Sequence, residues 1–493
     1  PDALALQAAN DLRRVILDDG SSTQNPAVVP YLGPEGTLRT GDRVTGLTGI
    51  LTFDFGEYRF HPVLPPVVDY VPRPVAPPAV GGLVQVGSFN VLNYFTTLDD
   101  GPTAGTCGPD GASGCRGADS ATELGRQRAK LVDAIVALDA DILGLIELEN
   151  GAGDAPLADL VSGLNAALGA DMYDYVATGD IGSDAIRVGL VYQPAKVAPI
   201  GDFAVLDDSF DPAYRADRNR PALAQTFAEA VGGSRFTVVV NHLKSKGSDC
   251  NDLGDPDLGD GQGNCNLSRT VAAELMVDWL ATDPTGAGTD RVLIVGDLNA
   301  YAQEDPVRAL EDGGYADLVE QFVGTGFADG AYSFNFFAQS GYLDHGLASA
   351  SLAPRVTGAG IWHINADEPR ALDYNEEFKP PGLVQDDRYR SSDHDVVLVG
   401  LLADSDGDGI DDTLDACGDT MLPDPAAMIR LGTNRWADTD GDGIFESTAR
   451  NESRRSYTLA DTAGCSCAQI VAECGLGKGH LKYGCSNGVM DAW

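Results

Sequence analysis

The sequence predicts an α/β domain of sheets layered with helices, set between a small β-rich front segment and an acidic, cysteine-rich rear. Three observations predict it. Between Leu83 and Leu402 short apolar runs alternate with helix-length stretches, the pattern of sheets with helices packed on their faces. Just before this region four prolines fall close together, at Pro72, Pro74, Pro77 and Pro78. Just after it the composition turns abruptly to Asp and Gly. At 493 residues the chain is also too long for one ordinary core, so internal boundaries are expected.

Residues 1–71 read as short strands and turns. Gly41–Pro62 alternates apolar and polar residues around glycines, as a partial OB-like β-barrel would. The chain opens at Pro1 in what reads as mid-domain, so a preceding segment, signal peptide included, is expected to have been removed. Residues 72–82 read as a stiff, proline-rich linker. In the region 83–402 the strand candidates are Leu83–Asn90, Ile142–Glu147, Arg187–Tyr192, Arg235–His242, Arg291–Val295 and Val396–Leu401. Helix candidates are Thr122–Leu138, Ala155–Leu168 and Ser268–Ala281. Runs such as TVVV and VLIV suit strands buried on both faces. The acidic stretch is assigned to 403–450 and the cysteine-rich tail to 451–493.

Charge narrows the function. A net charge of −41 excludes a broad basic face for gripping nucleic acid. A polyanionic substrate would need metal ions and a few placed arginines. Only seven of the 33 basic residues are lysines. No run of apolar residues is long enough to span a membrane. Nine cysteines fall in local groups. Cys107 with Cys115 and Cys250 with Cys265 each close a Gly/Asp-rich excursion that burial could not hold, which predicts disulfides and an oxidising, extracellular setting.

Chemistry concentrates at strand ends. Asn90 ends SFN, Glu147 lies in GLIELEN, Asn241 and His242 end VVVNH, Asp297 and Asn299 lie in VGDLN, Asp344 in YLDH, and Asp393 and His394 in SSDH. One carboxylate closing a strand is commonly a turn or cap. Six such endings in one domain are not. Asp297 and Asn299, two residues apart, are expected to face the same side of an extended backbone.

This series resembles the endonuclease/exonuclease/phosphatase superfamily, typified by deoxyribonuclease I and apurinic-site endonucleases, and is similar to large bacterial extracellular nucleases. The resemblance covers Leu83–Leu402 and implies a four-layer α/β sandwich, two β-sheets between helices, with the site at the strand ends. It implies magnesium or manganese held by Glu147, Asn90 and Asp393. By the same resemblance Asp297 orients or deprotonates the attacking water and Asn299 holds a phosphate oxygen. His394, held by Asp344, polarises the phosphate, and His242 stands on the leaving-group side. Arg220, with Asn241 and Lys244, would contact the phosphate; a guanidinium suits that task. Asp180 and Asp184 are the candidates for orienting His242, whereas His345 and Asp395 are expected to point away.

In DSDGDGIDDTLDAC, Asp404, Asp406 and Asp408 occupy the first, third and fifth positions of a calcium loop. Gly409 permits the turn, Ile410 offers a carbonyl, and Asp412 and Asp415 follow. The form resembles a thrombospondin type 3 repeat and implies bound calcium. Asp438, Asp440 and Asp442 repeat the start, but Ala449 stands at the twelfth position, so weaker binding is expected. The tail lacks the paired CxxC spacing of a zinc finger. Disulfides are expected instead, Cys474 with Cys485 and Cys417 with Cys465 or Cys467.

The expectation is therefore a secreted, metal-dependent nuclease whose substrate is DNA or RNA. Oligomeric state is left open. Two rivals stand beside it: a sphingomyelinase-like phosphodiesterase and a catalytically retired extracellular matrix or adhesion protein. An enzyme that attacks membranes would carry an exposed aromatic hairpin. The one aromatic cluster, Tyr332–Phe337, is read as a core strand beside Asp344.

Overall fold

The computed structural model describes every residue except 1, 27, 30, 34, 231–232, 380–382, 405, 407, 411, 413 and 449–455. Two six-stranded sheets form its centre. In the first, strands run in the order Val197–Leu206, Arg220–Glu229, Arg235–His242, Val292–Asp297, Asp344–Ser349, Tyr315–Asp317. The second runs Val356–Trp362, Val396–Leu401, Val84–Tyr94, Ile142–Glu149, Ile186–Tyr192, Asp174–Tyr175. Each sheet has one parallel pair at its middle, and each pair is joined by a helix, Ala121–Leu138 or Asn266–Leu280. Such crossovers place helices on sheet faces.

Strand alternation explains the layers. On Val292–Asp297, Leu293 and Val295 face the other sheet beside Val238, Val240 and Ile146. Val292 and Ile294 face the helix layer beside Met276 and Trp279. The second sheet likewise sends Phe89, Leu143 and Leu145 toward Leu131, Ile135 and Leu160 of its own helices. Apolar runs cover both faces because both faces are buried. The result is helix, sheet, sheet, helix.

The helix Ala121–Leu138 starts where Ser120 accepts a hydrogen bond from the Glu123 amide, an N-cap. The helix Asn266–Leu280 begins two residues before the expected Ser268. Asp255 reaches across to accept from the Leu267 and Ser268 amides, in the loop stapled by Cys250–Cys265.

Three features lie outside the two central sheets. In the front segment Ile16–Leu17, Glu57–Pro62 and Gly49–Asp54 make a three-stranded sheet, and Arg43–Thr45 pairs with Val67–Asp69. Among the described residues these do not close into a barrel, and Ile50, Leu51 and Phe53 stay exposed. The proline-rich stretch, expected as a stiff linker, packs against the catalytic region. Val80 is buried, and Arg39 and Arg73 both bond the buried Glu368 carboxylate, each at 2.7–2.8 Å. Third, the aromatic cluster is no core strand. Phe334–Phe336 pairs with Gln339–Gly341 as a hairpin, leaving Phe336 55% and Phe337 72% exposed at its tip. A three-residue strand with Gly341 and Ser340 on its partner cannot bury both faces.

Cys107–Cys115, Cys250–Cys265 and Cys417–Cys465 are bonded. The expected Cys474–Cys485 bond is corrected to Cys467–Cys485, with Cys474 free and exposed. Cys467 begins a helix ending at Glu473 and faces the buried Cys485. Cys474 lies past the far end, roughly 10 Å along the axis at 1.5 Å per residue. No helix among the described residues is long and apolar enough to cross a membrane. The boundary expected near residue 450 falls outside the described residues.

Candidate active site

Sheet register builds one half of the site. Arg220, His242, Asp297 and Asp344 are successive cross-strand partners on four adjacent strands. Neighbouring strands lie about 4.8 Å apart, so four distant sequence segments present their side chains as one row. Asp297 Oδ2 lies 3.6 Å from His242 Nε2 and 4.0 Å from His394 Nε2, beyond direct hydrogen-bond length. His394 Nδ1 lies 2.7 Å from Asp344 Oδ2, which also accepts from Ser333 Oγ at 2.6 Å. Phe334 stacks on the His394 ring, centroids 4.5 Å apart. Asn365 fixes the loop that delivers His394. Its amide nitrogen donates to the His394 carbonyl, and its oxygen accepts from the Ser391 amide.

The second sheet supplies the other half through a double irregularity. Register shifts fall between Asn90 and Tyr94 and between Leu145 and Leu148. Leu92, Asn93 and Glu147 take left-handed backbone conformations, at φ 54°, 51° and 69°. Bulges re-aim side chains; here they turn Glu147 toward the other sheet. The Asn93 backbone and side-chain amides both donate to Glu147 Oε2, at 3.0 and 2.8 Å. Asn90 is fully buried beside it and accepts from the Leu92 amide.

Electrostatics separate the two histidines. Burial, then Arg220 and His394, hold His242 well below the ordinary imidazole value, so it is neutral. Burial opposes charge on His394, but Asp344 and then Asp297 outweigh it and raise the imidazole well above its ordinary value. Burial also raises the Asp297 carboxyl, against the pull of His394. Glu147 is raised by burial and then by Asp393.

The residues fit a divalent cation. Asp393 lies close enough to Glu147 to disfavour the Glu147 charge, and the Asp393 side chain has no hydrogen bond or ion pair among the described residues. Hard cations take such oxygens. With Asn90 behind Glu147, this donor set is one that a hard divalent cation could occupy.

Arg220 is buried, donates from Nε to Asp184 Oδ2 at 2.9 Å, and places Nη1 3.4 Å from His242 Nε2. Asp184 therefore clasps Arg220, not His242. Asp180 instead accepts from the Gly151 and Gly153 amides. His242 Nδ1 is buried with no hydrogen-bond partner among the described residues. Asn299 converges with Asp297 for a reason other than strand alternation. It lies past the strand end at φ 47°, and its amide donates to Asp297 Oδ1 at 2.7 Å, an Asx-type turn. Asn241 is corrected out of the site. Alternation sends it to the face opposite His242, where its amide donates to the Val295 carbonyl. Lys244 is half-buried within the field of Arg220. His345, bonded to Asp317 and to the Ala300 carbonyl, and Asp395, bonded to His363, face elsewhere as expected. Sequence reasoning missed Asn93, Ser333 and Asn365. Only Asn93, the second Asn of SFNVLN, left a trace in the motif.

In the acidic region, carboxylate oxygens of Asp404, Asp406 and Asp408 lie within 4.8 Å of one another, as do those of Asp438, Asp440, Asp442 and Glu446. Asp408 Oδ2 is buried and has no hydrogen-bond partner among the described residues. A Cβ on Gly464 would lie 2.0 Å from Asp415 Oδ1 and 3.2 Å from Asp408 Oδ2, so Asp415 joins this concavity from the far side. Asp412 is exposed and outside the cluster. Glu446 completes the second group, while Ala449 lies outside the described residues.

A four-layer sandwich with an Asp–His row opposite a Glu and a clasped Arg defines a hydrolase of phosphoester bonds. The family model described as Endonuclease/Exonuclease/phosphatase family matches residues 87–394, and the chain belongs to that family. No curated protein sequence matched. Among solved structures, the chain is similar to a mannosyl-6-phosphatase from Bacteroides thetaiotaomicron, at 16% identity and TM-score 0.40, over 65% of this chain and 100% of that one. It is also similar to the TDP2 of D. rerio complexed with a single-strand DNA product, at 16% identity and TM-score 0.39, over 64% and 97% of the two chains. The human Nocturnin catalytic domain follows at 13% and 0.37, over 64% and 93%.

Proposed function

We propose that the chain is a secreted, divalent-metal-dependent nuclease that hydrolyses phosphodiester bonds of extracellular DNA or RNA, akin to large bacterial extracellular nucleases. The observation that carries it is the row Arg220, His242, Asp297 and Asp344 with His394 held against Asp344. Asp297 takes a proton from the attacking water, with Asn299 fixing its carboxylate through the backbone amide. His394, protonated and held in one tautomer by Asp344, faces the phosphate oxygens and offsets the charge that builds there. Arg220 offers its remaining guanidinium edge to the same phosphate. As the water oxygen bonds phosphorus, the P–O bond to the leaving oxygen breaks; neutral His242 stands on that side as a hydrogen-bond partner, and the leaving oxygen takes up a proton from solvent. Glu147 and Asp393 would hold a divalent cation, which when bound would supply Lewis-acid polarisation of the phosphate. Four disulfides support an oxidising compartment. Calcium is proposed for the two acidic loops, where the unpartnered Asp408 oxygen supports it.

One observation favours a second reading, a phosphodiesterase working at a lipid surface: the exposed Phe336–Phe337 pair beside the site, rings 4.6 Å apart. A single experiment separates the readings. The chain is incubated with plasmid, linear duplex, single-stranded DNA, RNA and sphingomyelin vesicles, each with magnesium, manganese or chelator. Metal-dependent cleavage of nucleic acid is expected. Release of phosphocholine with intact nucleic acid would overturn the nuclease.

A further inference from the structure

A cavity of about 690 Å³ is bounded by the aromatic hairpin through Asn335 and residues 338–341, while Phe334, which stacks on His394, is not among its lining residues. Its inner wall is made by residues next to the catalytic ones. Tyr301 lies two positions past Asn299, and Tyr342 two before Asp344. Its outer wall comes from the front segment: the helix Asp2–Asp11 contributes Gln7 and Asn10, and Thr40 accepts from Asn335 of the hairpin at 3.1 Å.

The lining chemistry is unusual for this chain. Although 22% of all residues are charged, none of those lining the cavity is. Amides take their place, from Gln7, Asn10, Gln303, Asn335 and Gln339. The Tyr301 ring is held rigidly. Lys246 Nζ lies 4.4 Å from its centroid, and a Cβ on Gly341 would meet the ring at 2.7 Å, so only glycine lets the ring lie against that strand. The Tyr301 hydroxyl is within electrostatic reach of Asp297. An amide-rich hollow lined by no charged residue thus adjoins the hairpin whose Phe334 packs on His394. Its volume is that of a small-ligand pocket.

We propose that this cavity takes an unpaired nucleobase of the substrate strand, next to the bond being cut. The inference rests on the nuclease reading and sharpens it. The side-chain amides of Asn10 and Gln339, which have no hydrogen bond among the described residues, can match the donor and acceptor edges of a base, Phe327 presents an exposed aromatic ring, and no charged residue lines the hollow to recognise a phosphate. A base inside a duplex cannot enter, so the site selects single strands, frayed ends or extruded nucleotides. The front segment then acts as a specificity element, because its helix closes the pocket.

The test fills the hollow without touching the phosphate-handling residues. Gln7→Trp and Thr325→Trp are compared with the unaltered full chain on a single-stranded oligonucleotide, on the same oligonucleotide with abasic sugars flanking the cut, and on bis(p-nitrophenyl) phosphate. The expected result is a rise in KM of roughly tenfold on the base-bearing strand, the scale of one lost stacking contact. Turnover of bis(p-nitrophenyl) phosphate should stay within about twofold, since that diester carries no base to place. The abasic strand should be a poor substrate for all three proteins alike. Unchanged KM on the base-bearing strand in both variants overturns the pocket, as does equal loss on bis(p-nitrophenyl) phosphate. Cleavage of neither diester by the unaltered chain removes the nuclease reading itself, and the base pocket with it.

Discussion

Asp344 Oδ2 lies 2.7 Å from His394 Nδ1, although fifty residues separate them in the chain. The contact joins an edge-side strand of one sheet to a loop entering the other, so it exists only when both sheets are assembled. It also raises the charge on His394 in a place where burial alone would remove it.

Asp344→Asn keeps the shape and removes the charge. Metal-dependent cleavage should fall by about two decades, the scale of a general acid–base contribution, with an unchanged circular dichroism spectrum. Asp297→Ala and His394→Ala should lose at least as much. Cleavage near the wild-type rate in all three would place the chemistry elsewhere.

Lys244 sets an alkaline limit. Burial, then Arg220, push its ammonium down to about 8, so the charge is present below that value and lost as pH rises through it. If Lys244 holds phosphate, KM should rise above about pH 8 while kcat holds. Lys244→Arg, charged throughout, should flatten the profile; the same rise in that variant would assign the limit to another group.

The first acidic loop should answer to both calcium and pH. Burial, then Asp406 and its neighbours, raise the Asp408 carboxyl to about 7. Without calcium its stabilising share is complete below about pH 4, where the unfolded group is also protonated, and is lost as pH rises through 7. Melting temperature in chelator should therefore decline across that window, and calcium should restore it at pH 7 better than magnesium does. Trypsin should reach Arg435 only in chelator. Identical melting and cleavage with and without calcium, magnesium held constant, would leave the loop an acidic linker.

The hairpin tip decides the second reading. Phe336→Ser/Phe337→Ser should leave chelator-blocked binding to vesicles of zwitterionic lipid unchanged, because a nuclease has no use for it. Loss of vesicle binding, with nucleic acid cleavage absent from the start, would favour the lipid enzyme.

Much of this was legible because β-strands print their burial as apolar runs and their ends as polar residues. TVVVNH and VLIVGD announced both the strands and Asp297 and His242. Register was not legible: nothing in the sequence says that Arg220, His242, Asp297 and Asp344 would fall on one row. Alternation along a strand would have set Asn241 apart from its neighbour His242, whereas Asn299 is placed by a turn rather than by the strand. The aromatic hairpin was misread because hydrophobicity suggests burial while a three-residue strand cannot provide it. Cys474 and Cys467 were interchangeable by spacing, and helix geometry separates them.

Glu368 binds the front segment through Arg39 and Arg73, while its backbone carbonyl receives Arg390, three residues before Asp393. Beginning and end of the catalytic region thus share one anchor. Losing one partner of a buried ion pair costs about 3–5 kcal/mol, so slackening the front segment should be felt directly by the loop that carries His394. The two should melt as a single cooperative unit, and what looks like an appendage becomes part of the enzyme's own folding transition.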